Sequence, residues 1–130
     1  HMNIPKNLKY SITHEWVKVE GDTATVGVSD FAQHELGDIV FVEAPAEGTA
    51  VTAAEQMGSV ESVKAVSELN APVSGTVSAV NPELADHPEL LNQDCYGKGW
   101  IVKIALSDPG QVGDLMDAPA YEKYIAEMKH

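Results

Sequence analysis

Apolar residues along this chain recur at every second position over short runs, and each run is stopped by glycine, proline, asparagine or aspartate. Side chains of a strand point alternately to opposite faces, so this period calls for half-buried β-strands and excludes a helical body. The segment EWVKVEGDTATVGVS holds two runs, Trp16 to Glu20 and Thr23 to Val28, joined by Gly21-Asp22, and predicts a hairpin with Val26 and Val28 on one face. DIVFVEAP predicts a buried strand closed by Pro45, and EGTAVTAAEQ a turn into a weaker strand. NAPVSGTVSAVN predicts a strand through Val77 and Val80 that Asn81-Pro82 stops, and GWIVKIAL one with Trp100, Val102, Ile104 and Leu106 on one face.

Helical period appears in two places. In SDFAQHELGD, Ser29 or Asp30 suits an N-cap, Phe31, Ala32, Glu35 and Leu36 fall at helical spacing, and Gly37 suits a left-handed C-cap. In the tail, Tyr121, Tyr124, Ile125 and Met128 fall at i, i+3, i+4 and i+7 with Asp117 as cap, predicting an amphipathic helix over 118–130 packed on the β body. Pro82 and Pro88 each suit the first turn of a very short helix. The fold class is therefore mainly β, with short helices and a C-terminal helix. The 130 residues suit one domain, 1–130, in which His1-Met2 reads as a tag remnant.

The formal net charge is −12, and all eight basic residues are lysines. Such a field repels nucleic acid and anionic membranes, so partners are expected to be proteins or small molecules, proteins offering basic docking surfaces. Cys95 is the one cysteine, with no cation beside it to activate a thiolate, and is expected to pack. No apolar run is long enough to span a bilayer, and the histidines have no metal-site spacing. There is no nucleophile elbow or recognisable triad, so an enzyme is not expected. With no leader segment apparent, a bacterial cytoplasm is the expected setting, a trimmed form in the mitochondrial matrix the alternative.

One stretch stands apart. ESVKAVSE, Glu61 to Glu68, reads almost the same in both directions, and Lys64 within it is the sole lysine between Val19 and Gly97. Centred between Lys64 and Ala65, an antiparallel hairpin would pair Val63 with Val66, Ser62 with Ser67 and Glu61 with Glu68. Two features count against that as an ordinary hairpin: like charges oppose each other, and Lys-Ala lacks the residues that two-residue turns favour. The tip exposes an amine, either as one more solvated lysine or as a modification site.

ESVKAVSE followed by APVSG resembles the lipoylation site of the glycine cleavage system H-protein family, whose fold is related to biotinyl and lipoyl domains. LKYSITHEW, VGVSDFAQHELGDIVFVEAP, NPELADHPELLNQDCYGKGW and LMDAPAYEKY resemble that family in the same order, from Leu8 to Tyr124. Ala44-Pro45 and Cys95-Tyr96 depart from its usual residues, away from the lysine motif. The resemblance implies a flattened β-sandwich or barrel of the lipoyl/biotinyl carrier type, a monomer when free, with lipoate in amide linkage on Lys64. The lysine stem and lipoyl chain together would reach on the order of a dozen ångström. It further implies glycine decarboxylase (P protein), aminomethyltransferase (T protein), dihydrolipoyl dehydrogenase (L protein) and lipoate-attaching enzymes as partners, the first handing an aminomethyl group to the arm, the second taking it, the third reoxidising the dithiol. Some such proteins instead relay lipoyl or octanoyl groups to other complexes, and an unmodified β-sandwich interaction module is the alternative of another class.

An aminomethyl thioether with a free amine can expel its thiolate, so a carboxylate that keeps the amine protonated would protect the loaded arm. By resemblance, HEW lies near the cleft where that arm rests, which makes Glu15 the candidate to hold the amine; a solvated strand-end carboxylate is the alternative. Glu61 and Glu68 are candidate docking charges for partners, or simply a solvated face.

Overall fold

The computed structural model of the chain describes residues 3–128. The expectations at both ends, the tag remnant at 1–2 and the last two residues of the tail helix, lie outside the described residues.

The chain order is β1 (Lys9–Tyr10), β2 (Glu15–Glu20), β3 (Thr23–Val28), α1 (Asp30–Leu36), β4 (Ile39–Glu43), β5 (Ala50–Val51), β6 (Gln56–Ser62), β7 (Val66–Asn70), β8 (Gly75–Val80), α2 (Leu90–Gln93), β9 (Val102–Leu106) and α3 (Ala118–Met128). Short 3-10 helices cover Pro82–Ala85 and Pro109–Asp114. The strands form a six-stranded sheet in the order β1-β2-β3-β9-β8-β5 and a three-stranded sheet in the order β4-β6-β7, antiparallel throughout. Val17, Val26 and Ile104 of the larger sheet bury against Val60 and Leu69 of the smaller in one apolar cluster, as period-two patterning on two facing sheets requires. The expected flattened β-sandwich is the fold observed.

The hairpin of β2 and β3 has the expected register, Val19 opposite Ala24 and Glu20 opposite Thr23, with Gly21 at φ 62 in the turn. Helix α1 starts as its sequence demands: the Ser29 hydroxyl accepts from the Ala32 amide, and Gly37 at φ 82 closes the last turn by donating to the Gln33 carbonyl. Helix α3 is capped by Asp117, whose Oδ1 accepts from the Ala120 amide. Its Tyr121 ring stacks on Tyr10 with centroids 4.5 Å apart, and a second apolar cluster forms there with Trp16, Phe31 and Ile125. Met128, expected on the buried face, is exposed at the last residue of α3.

A second burial expectation also fails. DIVFVEAP forms β4, but as an edge strand with an irregularity between Ile39 and Phe41, so Val40 and Phe41 both face solvent. An apolar run does not say whether both faces are covered, and here only Ile39 is buried. Strand β1 and the 3-10 helix at Pro109–Asp114 carry too few residues for a period to show.

Candidate functional site

The near-palindrome is the tip of the β6-β7 hairpin, but its axis lies one position earlier than its symmetry suggests. The pairs are Glu61 with Val66, Val60 with Ser67 and Ser59 with Glu68. Glu61 and Glu68 therefore do not oppose each other, and the expected like-charge clash is absent. The turn runs from Ser62 to Ala65, so Val63 and Lys64 are its two central residues.

A serine explains the shift. Ser62 is buried, and its Oγ accepts from the amides of Lys64 (3.3 Å) and Ala65 (3.1 Å), while its own amide donates to the Ala65 carbonyl at 2.8 Å. The Val63 amide donates to the Asp38 carbonyl at 3.0 Å, tying the tip to the chain just before β4. All four backbone donors of the turn are thus satisfied, and neither Val63 nor Lys64 has a positive φ. A hydroxyl does here what Asn-Gly does in common hairpins. Replacing Ser62 by alanine leaves two amides without that acceptor and is expected to destabilise the tip by about 1–2 kcal/mol. Faster amide hydrogen exchange at Lys64 and Ala65, with protection unchanged in β2 and β3, is the readout; unchanged exchange at the tip would contradict the role given to Ser62.

The platform under the tip is equally ordered. The Asn92 amide donates to the carbonyl of Gly37 and to Gln33 Oε1, and its Oδ1 accepts from the Ile39 amide. This pins residues 37–39, which hold the tip through Asp38. A Cβ on Gly37 would stand 3.6 Å from Lys64 Cε, so the lysine stem lies over the glycine. Lys64 is exposed and projects from a fixed base. Neither Ser62 nor Asn92 was singled out from the sequence. The signal available for Ser62 was a serine opening a turn, whereas Asn92 gives none before the fold brings α2 beside α1.

Glu15 sits elsewhere. The turn from Ser11 to Glu15, with His14 at φ 74, swings its side chain inward, and it is 1% exposed. Oε1 accepts from the hydroxyls of Ser11 (2.6 Å) and Thr13, and Oε2 accepts from the Asn70 amide (3.1 Å) at the far end of β7 from Lys64. Glu15 is therefore not a solvated carboxylate. Burial pushes its carboxyl above the ordinary range, opposed by hydrogen bonds from Ser11, Thr13 and the Asn70 amide. His14 Nδ1 lies 2.9 Å from the Tyr121 hydroxyl, which lies 2.7 Å from Ser29 Oγ, so α3 helps hold this turn. Beside it opens a cavity of about 360 Å³ lined by Ser11, Thr13, Ala71, Pro72 and Leu115 among others.

Glu61 and Glu68 are both exposed, on the outer face of the three-stranded sheet. Cys95 is buried, its thiol pushed up to about 12 by burial first and by the nearby carboxylate of Asp30, and its carbonyl accepts from the Trp16 indole at 2.9 Å. That is packing, as expected. Among the described residues no group of three or more His, Cys, Asp or Glu is placed to hold a metal, and no helix is long and apolar enough to cross a membrane.

The sandwich that presents this amine is similar to known proteins. Residues 8–128 match the family described as glycine cleavage H-protein. A glycine cleavage system H protein of Staphylococcus carnosus is 55% identical over 126 residues, 97% of this chain and 100% of that protein. A probable one of Haloarcula marismortui is 54% identical over 123 residues, 95% and 97% of the two chains. In structure, a glycine cleavage system H protein from Mycobacterium marinum matches with a TM-score of 0.85 and 36% identity over 98% of this chain and 100% of the other. Both the lysine-bearing hairpin and the sheets beneath it fall inside these matches, and the chain belongs to the glycine cleavage H-protein family.

Proposed function

We propose that this protein is a lipoyl-lysine carrier of the glycine cleavage system, working in a cytoplasm, in which Lys64 is the attachment point. The observation that carries the reading is the hairpin tip: an exposed primary amine on a turn whose backbone donors are all bonded, in a stretch from Val19 to Gly97 with no other lysine. Ser62 and Asp38 keep the tip in one conformation, and Gly37 leaves room for the stem, so the residues present fit an acyl group on Lys64 Nζ. Bound there, lipoate would supply a dithiolane able to take up the aminomethyl group of glycine, with loss of carbon dioxide, as a thioether beside a free thiol, the dithiol following only once that group is passed on. The protein's part is reach and presentation: a fixed base and a mobile arm allow the P, T and L proteins to use one site in turn. Glu61 and Glu68 stand near the base as docking charges for basic partner surfaces. The test is reconstitution with the three partner proteins: glycine-dependent release of carbon dioxide supported by the lipoylated protein and not by the unmodified one is expected, and equal support by both would reject the reading.

Glu15 is assigned the loaded amine. Strand geometry puts Asn70, which Glu15 holds, about 20 Å along β7 from Lys64. An arm of about a dozen ångström, lengthened by an aminomethyl group and a hydrogen bond, comes close to that span. The approach is from the cavity side, where Thr13 is exposed and its hydroxyl covers Oε1. A cation taking the place of that hydroxyl would pair with a buried carboxylate whose ionised form is disfavoured by burial.

The variant Glu15→Gln keeps the shape and removes the charge. It is expected to speed spontaneous breakdown of the loaded protein by about tenfold, the effect of losing about 1.4 kcal/mol of ammonium stabilisation. Equal half-lives would sink the assignment. The same pair has a pH signature. The carboxyl is raised in the folded state, so its contribution to stability is present below the unfolded value and is lost as pH rises through the folded one. From pH 4 upward the wild type should therefore lose stability relative to Glu15→Gln, by no more than about 1.4 kcal/mol per pH unit.

A further inference from the structure

The three-stranded sheet ends in β7, and the hydrogen bonds at the hairpin tip fix which backbone groups of β7 face outward. Ser62 and Ala65 face each other across the turn, with the Ser62 amide bonded to the Ala65 carbonyl. In an antiparallel ladder, bonded and non-bonded pairs alternate, so Val60 and Ser67 form the next bonded pair, and Glu61-Val66 and Ser59-Glu68 are non-bonded. The backbone groups of Glu61 and Ser59 accordingly turn to β4, where Phe41 and Glu43 face them, as the bond from the Val63 amide to Asp38 confirms for that side. The N–H and C=O groups of Val66 and Glu68 turn the other way, to the open edge, where the Glu68 carbonyl accepts one long bond, 3.4 Å, from the Ser67 hydroxyl.

The other sheet edges are closed. Strand β1 is covered by reciprocal bonds between Tyr10 and Met116 at 2.8 and 2.9 Å, β5 is two residues long, and β4 is broken by its irregularity after Ile39. Such devices are how sheets avoid unwanted pairing. Strand β7 has none of them from Val66 to Glu68: its register is regular there, with no proline and no lysine within the strand. The open stretch also has definite ends. At one end stands Lys64, two residues from Val66. At the other the edge stops at Asn70, whose amide is taken by Glu15 Oε2.

The side chains around the edge state what would fit it. Val66 and Val63 are each 69% exposed, Phe41 is 54% exposed, and Glu61 and Glu68 are exposed carboxylates. Phe41, Glu61 and Val66 lie in one row across the outer face of the sheet. A complementary segment is extended, carries an apolar side chain for Val66 and a basic one for Glu68, and brings its reactive centre to Lys64.

We propose that the outer edge of β7 at Val66 and Glu68 is a strand-addition site for the enzyme that acylates Lys64, which lays a basic extended segment along it. This rests on the reading of Lys64 as an attachment point and names how that amine is recognised: main-chain bonds supply register, so the lysine two residues beyond Val66 is delivered at a fixed distance.

The variant Glu68→Pro tests it. Proline lacks the outward N–H but removes no bond of the ladder, and Ser67 before it is already extended as proline requires. Glu68→Ala controls for the lost charge. With a lipoate ligase, lipoate and ATP, and acylation followed by intact mass, kcat/KM for Glu68→Pro is expected at least tenfold below that of Glu68→Ala, with unchanged circular dichroism. Equal values for the two variants would overturn the proposal while acylation of the wild type leaves the carrier reading standing; no acylation of the wild type would instead overturn that reading. If Glu68→Pro does not fold, amide exchange on the wild type decides. The amides of Val66 and Glu68 should exchange freely in the free protein and become protected when the ligase is bound, and a lack of protection there overturns the site.

Discussion

Lys64→Arg is expected to abolish carrier activity in the reconstituted glycine cleavage reaction while leaving the fold intact. Arginine keeps the charge and much of the stem length, but its guanidinium stays protonated and does not form the amide that an ammonium can form once it loses a proton. Nothing in the fold depends on the lysine side chain, since the turn is held by the backbone amides of residues 62 to 65 and the Ser62 hydroxyl. Urea unfolding should place the variant within about 0.5 kcal/mol of the wild type. No other lysine can substitute, because none lies between Val19 and Gly97 apart from Lys64, and Lys18 and Lys103 lie in strands of the other sheet. Retained turnover in Lys64→Arg would mean that the arm is carried elsewhere or is not needed.

Gly75→Ala is expected to have the largest effect on stability. Gly75 is buried in β8 and paired on both sides, with Val51 of β5 and Leu106 of β9. An added Cβ would stand 2.0 Å from the Ala105 carbonyl oxygen and 2.8 Å from Ile104 Cγ2. The first clash is with backbone, so relief requires opening a ladder rather than turning a side chain. A loss of about 3 kcal/mol follows, or a fall in Tm of about 10 °C for a domain of this size. Gly113→Ala is the control: a Cβ there meets nothing within 4 Å, and its effect should stay within about 0.5 kcal/mol. Equal stability of the two variants in a thermal melt would contradict this account of β8.

Where sequence signals were local and chemical, they translated directly into structure. Ser29 and Gly37 bound α1 because a hydroxyl and a positive φ are needed at those two places, and Gly21 marks the β2-β3 turn for the second of these reasons. The lysine motif was equally legible, through its contrast with the acidic chain around it and through the family it resembles. The register of its hairpin was not. Symmetry of side-chain types suggested one axis, but hydrogen bonds choose the register, and the hydroxyl of Ser62 bonded into the turn sets it one position earlier. The burial of Glu15 was also hidden, because it depends on Asn70 arriving from β7 and on a left-handed His14. Asn92 shows the same limit: its three bonds reach Gln33, Gly37 and Ile39, and no local pattern encodes contacts across more than fifty residues.

The central claim is that one amine carries the function, and mass spectrometry of the wild-type protein after treatment with a lipoate ligase, lipoate and ATP tests it most directly. The account predicts a single lipoyl addition, mapped by peptide digestion to Lys64. A protein that stays unmodified under a ligase active on another acceptor, or an addition mapped to any other lysine, would contradict it.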